Sequence, residues 1–274
     1  MTSIVLNNNG GIKIKLNYLT AGDSSHSALI FVHELGGNIT TWDFVINDLA
    51  QYFYVIALDL PDSGNSDLMV GQYEMSALID ILECFIKTLA IDSYVLIGLA
   101  LGGITALHSA LTYVDKIKGL VVLDAIGDLR DETRNYVINR GITARDNGME
   151  SVVNISVERS FYELHNSRLA SVRRNYIDRF VKNNPRGYWR LSQLLGTTPN
   201  IGKRIKEIKI PCFIGVGEND VIFTPSECSD LAKNLPNGYF HIIPNAAHFP
   251  PLQNPEGFTS KVIPFLRMIA GHDQ

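Results

Sequence analysis

Cysteine is scarce in this chain. Cys84, Cys212 and Cys228 are the three in 274 residues, and an odd, scattered set excludes a disulfide framework. They are expected to be reduced thiols packed as small core hydrophobes in a cytoplasmic protein. No Cys/His spacing of the zinc kind is present, so neither a metal nor another cofactor is expected. No apolar run reaches the ~18 residues of a membrane span. Residues 1–11 have neither a basic start nor a long apolar core, which argues against a secretory signal. Charge of one sign is also missing: 24 Lys and Arg against 28 Asp and Glu leave a formal net charge of −4, with no basic run. Nucleic acid is therefore not an expected partner. A small-molecule substrate is, for a monomer or homodimer.

What is present is a globular composition. The chain is 46% hydrophobic, enough to build an extensive core in one α/β domain. Ile4-Val5-Leu6 and Ile12 to Tyr18 flank Asn8-Asn9-Gly10-Gly11, a hairpin signature. Ala28-Leu29-Ile30-Phe31-Val32 is apolar throughout and reads as a strand buried on both faces. Strands and helices then alternate. Residues 41–51 read as a helix, 54–58 as a strand, 75–89 as a helix, 94–97 as a strand, 101–113 as a helix and 120–123 as a strand. Strands at 212–216 and 239–243 are each followed by a helix, at 226–235 and 255–269. This rhythm predicts a mostly parallel sheet with helices on both faces. It is interrupted at residues 127–206, where four arginine-rich helical stretches (130–145, 151–164, 167–181 and 188–195) replace strands. They read as a lid inserted between two strands of one domain.

Four motifs stand at strand ends. Gly98-Leu99-Ala100-Leu101-Gly102-Gly103 has the strand–turn–helix setting of a nucleophile elbow, G-x-S-x-G, with Ala at the centre. Small flanking residues suit a turn in which the backbone approaches itself, and the helix after it aims amides at the site. His33-Glu34-Leu35-Gly36-Gly37-Asn38 comes directly after the strand at 28–32. Gly215-Val216-Gly217-Glu218-Asn219-Asp220 ends the strand at 212–216. Asn245-Ala246-Ala247-His248-Phe249-Pro250 comes after the last strand. On these motifs and this element order the chain resembles the α/β-hydrolase superfamily over nearly its whole length.

The resemblance implies an eight-stranded, mostly parallel sheet with a helical cap after the sixth strand. It divides the chain into a core of residues 1–126 and 207–274 and a cap of 127–206. It places Ala100 at the nucleophile position, Asp220 as the acid and His248 as the base, in the chain order of this fold. It implies an oxyanion hole from the N–H groups of Leu35 and Leu101. Asp124 stands where some members carry the acid, and otherwise would lend polarity to the pocket. Asp59-Leu60-Pro61-Asp62-Ser63-Gly64-Asn65-Ser66 resembles the D-x-P-G-x-G-x-S loop that buttresses such sites. Glu34, Asp62 and Ala247 each replace a glycine of the family pattern.

Several lesser candidates remain. His33 is expected to brace its loop. Glu34 is expected to be solvated, with substrate contact as the alternative. Trp189 and Tyr188 are candidate pocket residues, and Arg173 or Arg174 a candidate fork for a substrate carboxylate. His26, His108, His165, His241 and His272 are read as surface or core, and Trp42 as core. The resemblance implies a Ser-His-Asp hydrolase of a small ester, lactone or related carbonyl compound, present as a nucleophile-deficient form in which Ala stands for Ser. The H-E-L-G-G motif and the lack of evident paired cap tyrosines favour Ser over Asp as the replaced residue. The alternatives are a naturally nucleophile-free enzyme that uses the His–Asp pair without a covalent step (a cofactor-free dioxygenase, lyase or cyclase) and a ligand-binding pseudoenzyme.

Overall fold

The computed structural model describes residues 2–7, 13–161 and 167–271. The turn expected at Asn8-Asn9-Gly10-Gly11, the helix end at Leu164, and His165 and His272 lie outside these residues.

The chain runs β1 (Thr2–Asn7), β2 (Lys13–Ala21), β3 (Ala28–Val32), α1 (Ile46–Leu49), β4 (Tyr54–Leu58), α2 (Met75–Thr88), β5 (Tyr94–Leu99), α3 (Leu101–Ala110) and β6 (Ile117–Leu123). It continues with α4 (Asp131–Asn147), α5 (Glu150–Ser160), α6 (Ser167–Phe180), α7 (Pro185–Thr197), β7 (Cys212–Gly217), α8 (Pro225–Asn234), β8 (Gly238–Ile243), α9 (Pro250–Gln253) and α10 (Pro255–Ala270). The eight strands form one sheet in the order β1-β2-β4-β3-β5-β6-β7-β8. β1 and β2 pair antiparallel, with Leu6 opposite Ile14. β2 and β4 are antiparallel. All other neighbours are parallel. The reason lies in the side chains: every residue of β3, β5 and β7 is buried, as strands covered on both faces require.

The chain leaves β3 for β4 on one side and returns to β5 on the other. That reversal opens a crevice beyond the carboxyl ends of β3 and β5, the place where open α/β sheets bind ligands. The loops after these two strands carry His33–Gly37 and Ala100.

One local expectation fails. Residues 41–51 do not form one helix: a 3-10 turn at Ile39–Trp42 precedes the single turn α1. Trp42, Val45, Ile46 and Leu49 are buried at helical spacing, but Val45 at φ −119° and ψ −20° breaks the run. A 3-10 turn at Gly202–Glu207 and the short α9 carry no periodic signal long enough to read. Trp42 is core as expected, edge-on to Phe31 at 5.0 Å. The three cysteines are free; Cys212 and Cys228 are buried and Cys84 is half-buried. Among the described residues, no helix is long and apolar enough to cross a membrane.

Helices α4–α7 lie between β6 and β7 and are fastened to the sheet loops by polar contacts. Arg190 of α7 forms a buried ion pair with Asp62. Arg179 of α6 reaches Thr40 and Glu34. Arg168 donates to the carbonyls of Leu252 and Gln253. His248 N–H donates to Ser160 O at 3.2 Å, so the end of α5 holds the histidine loop directly.

Candidate active site

Ala100 links β5 to α3. Its N–H still donates in sheet fashion, to Leu123 O at 2.9 Å. Its backbone stands at φ 50° and ψ −107°, a strained conformation for a residue with a Cβ. The turn closes because its flanks are bare: a Cβ on Gly98 would lie 2.1 Å from Gly102 O, and one on Gly102 would lie 2.0 Å from Val32 O. Leu101 then begins α3, so its N–H belongs to the first helical turn, where amides lack intrahelical acceptors and the dipole is positive.

The loop after β3 is built around His33. Its Nδ1–H donates to Glu34 O at 2.7 Å and its Nε2 accepts from Leu60 N–H at 3.0 Å. One nitrogen gives and the other receives, so the ring is neutral, and burial lowers its pKa further. It braces the loop, as expected. Glu34 corrects an expectation. It is not solvated: it is 2% exposed, accepts from Thr41 Oγ1 at 2.9 Å and pairs with Arg179 at 3.2 Å. Its carboxylate fills the space beside Gly37, where a Cβ would fall 2.4 Å from Glu34 Cδ. The same loop turns through Gly36 at φ 82°. Behind it Asp59 accepts from Ile39 N–H and Asn65 N–H, both at 2.8 Å, and so buttresses the loop.

His248 Nδ1–H donates to Asp220 Oδ2 at 2.9 Å. Asp220 is held in turn by Ile222 N–H on Oδ1 at 2.8 Å. With Nδ1 occupied, Nε2 carries the lone pair, and His248 borders the cavity that Ala100 and Leu101 also line. An imidazole so held is equipped to accept a proton. Asp124, at φ 46° beyond β6, accepts from Gly217 N–H at 2.9 Å through Oδ1, while its buried Oδ2 has no donor among the described residues. It does not line the cavity, so the pocket role expected for it fails; it lies behind the histidine instead. Burial, and then the Asp220 carboxylate, push its carboxyl well above the ordinary range. Donor atoms of Asp124, Asp220 and His248 lie within 4.8 Å of one another, a spacing that a metal ion would suit. The imidazole nitrogen on that side is already bonded to Asp220, and a proton on Asp124 relieves the repulsion between the carboxyls without an ion.

The cavity has a volume of about 500 Å³. Its floor includes Leu35, Ala100 and Leu101, and its cap wall comes from α4, α5 and α6 with Leu195 of α7. Several cap expectations fail here. Trp189 is not on the cavity: it lies under the Arg145 guanidinium, 4.9 Å from the ring centroid. Tyr188 is buried behind the wall, edge-on to Phe180. Arg173 and Arg174 are exposed on the outer face of α6. Tyr136 and Tyr176 do line the cavity, so the cap carries a tyrosine pair after all. Sequence reasoning also missed Arg140 and Arg159 on the wall. A signal existed: Thr133, Tyr136, Val137 and Arg140 recur at i, i+3, i+4 and i+7, one face of α4.

Known proteins share this architecture. Residues 27–255 match the family model described as alpha/beta hydrolase fold, and the chain belongs to that family. It is 27% identical over 279 residues to the 2-hydroxy-6-oxononadienedioate/2-hydroxy-6-oxononatrienedioate hydrolase of Burkholderia vietnamiensis, covering 94% of this chain and 92% of that protein. It is also 27% identical over 251 residues to the pimeloyl-(acyl-carrier protein) methyl ester esterase of Wigglesworthia glossinidia brevipalpis, covering 87% and 93%. The fold superposes on a thermophilic esterase from Thermogutta terrifontis with a TM-score of 0.93 at 24% identity, covering 98% of this chain and 100% of that one. The chain is thus a member of a family of hydrolases.

Proposed function

We propose that the cavity is an acyl-transfer site for a small ester, lactone or related carbonyl compound, with Ala100 in the place of a serine nucleophile. The observation that carries this reading is the His248–Asp220 pair, whose free Nε2 shares one cavity with Ala100 and Leu101. The hydrolase and the methyl ester esterase to which the chain is similar support it. In the full reaction a serine Oγ at position 100 would attack the carbonyl carbon. His248 would take its proton and return it to the leaving group, and Asp220 would hold the tautomer. The amides of Leu35 and Leu101 would meet the developing oxyanion, and a donor in such a hole is worth about 3 kcal/mol in the transition state. With Ala100 the chain keeps the pocket and the base but has no oxygen with which to form the acyl bond.

Ala100→Ser is therefore expected to give hydrolysis across a panel of activated esters and lactones, with covalent labelling by a fluorophosphonate. His248→Ala in that background should lower kcat by on the order of a thousandfold or more. A folded Ala100→Ser chain that hydrolyses nothing and takes no label defeats the proposal. A second reading is favoured by the completeness of the dyad beside a residue without a nucleophile. His248 would then act directly on a substrate proton or on water, as in lyase, cyclase or cofactor-free oxygenase chemistry. It predicts that the chain with Ala100 turns a substrate over and that His248→Ala abolishes this.

A further inference from the structure

The cap wall carries two cations that have no acid partner among the described residues. Arg140 of α4 and Arg159 of α5 both border the cavity. Their guanidinium carbons lie 5.3 and 5.2 Å from the ring centroid of Tyr136, which lies between the two helices as a shared platform. Arg140 also lies 5.8 Å from the Tyr188 ring. Of the other arginines that line the cavity or fasten the cap, Arg130 pairs with Glu227, Arg179 with Glu34 and Arg190 with Asp62, while Arg134 and Arg168 are bonded to backbone carbonyls. Among the described residues neither Arg140 nor Arg159 has an acid partner. The Nε of Arg140 and the hydroxyl of Tyr136 are both buried without a hydrogen-bond partner. Unspent donors beside a cavity are costly unless a ligand satisfies them.

We infer that this wall is a carboxylate subsite, and that the natural ligand is an acyl compound bearing a free carboxylate at the end remote from its reacting carbonyl. The charge balance selects one negative charge. Glu132 is the one acid on the wall without a cationic partner among the described residues, because Glu34 is already paired with Arg179. Two guanidinium groups against one carboxylate leave a surplus of one positive charge. A planar carboxylate can take the guanidinium fork of Arg140 in bidentate fashion while Tyr136 donates its O–H. The half-buried setting of Arg140 against the Tyr136 ring keeps that cation partly dry, which strengthens such a bond over one made in open water. The carbonyl end is assigned to Ala100, and that half rests on the proposed acyl-transfer site; the carboxylate subsite itself does not.

The experiment uses the chain as it stands, with Ala100, so that binding is read without turnover. The probes are monomethyl esters of the straight dicarboxylic acids from succinate to suberate, each beside its neutral dimethyl ester, titrated by calorimetry. At least one monoester should bind about tenfold or more tighter than its diester. Arg140→Gln and Arg159→Gln should each narrow that preference, and the double variant should remove it while leaving diester binding in place. Arg159 is exposed, so its variant tests the idea without threatening the fold, and thermal melts check both. Equal affinity for mono- and diesters, a preference that survives the double variant, or no binding across the series overturns the inference. Inorganic phosphate binding tighter than every monoester, through the same arginines, overturns the carboxylate class. An Arg140-dependent preference in a chain whose Ala100→Ser form is inert sustains the subsite and rejects the acyl-transfer reading. Turnover of neutral esters as fast as anionic ones does the reverse.

Discussion

Breaking the buried pair between Asp62 and Arg190 should cost far more than breaking a surface ion pair. Asp62 has a fully buried side chain, and that of Arg190 is 9% exposed. Arg190 Nε donates to Asp62 at 3.0 and 3.1 Å, and Asp62 also accepts from Met69 N–H at 3.0 Å. Arg190→Met leaves a buried carboxylate with one backbone donor, which costs about 3–5 kcal/mol. For a chain of this size that corresponds to a fall in Tm of roughly 6–20 °C. Asp62 itself sits at φ 70°, where the family pattern has glycine. Asp62→Gly therefore regains about 1 kcal/mol of backbone strain while stranding the arginine. The double variant Asp62→Gly/Arg190→Met strands no charge, so it should be more stable than Arg190→Met alone, with a coupling of about 2 kcal/mol or more. Urea unfolding of the four chains measures the cycle. A loss below about 1 kcal/mol for Arg190→Met, or strict additivity, refutes the claim that this pair clasps α7 to the loop after β4.

Two further outcomes depend on pH. The folded-state pKa of Asp124 is raised, so its contribution to stability is fully present below the unfolded value near 3.9 and is lost as pH rises toward the folded one. Asp124→Asn copies the protonated form, so its stability relative to the parent should grow as pH rises above about 4; a flat difference in urea midpoints would contradict this. His33 is the opposite case, since its folded pKa is lowered by burial. The parent should lose stability relative to His33→Gln as pH falls through about 6.5, and parallel pH profiles would rule that out.

The parts of this molecule that lie at strand ends are legible because a strand buried on both faces announces itself as an apolar run. β3, β5, β7 and the 120–123 part of β6 are such runs, and the loops at their carboxyl ends hold Leu35, Ala100, Asp220 and Asp124 in turn. The cap is legible as helices but not as a surface. Which face of α4 turns inward depends on packing against α5 and α7. The spacing of Thr133, Tyr136, Val137 and Arg140 marks them as one face of α4 but not as the face on the cavity, and Trp189 and Arg173 look like better candidates than they are. Glu34 misleads for a related reason. Its partner Arg179 lies 145 residues further along the chain, and nothing local reveals that a carboxylate there will be neutralised and buried.

The strained turn at Ala100 has a consequence apart from chemistry. Its backbone energy is set by Gly98, Gly102 and the β5–α3 junction, not by the group on the Cβ. The fold therefore carries the same conformational load, of order 1–3 kcal/mol, whether position 100 bears a methyl, a hydroxyl or a thiol. Any side chain placed there starts from one fixed Cα–Cβ bond, at a position that lines the same cavity as Leu101 and His248. The junction acts as a mounting bracket: reactivity can be exchanged at a single atom while the scaffold that aims it stays loaded.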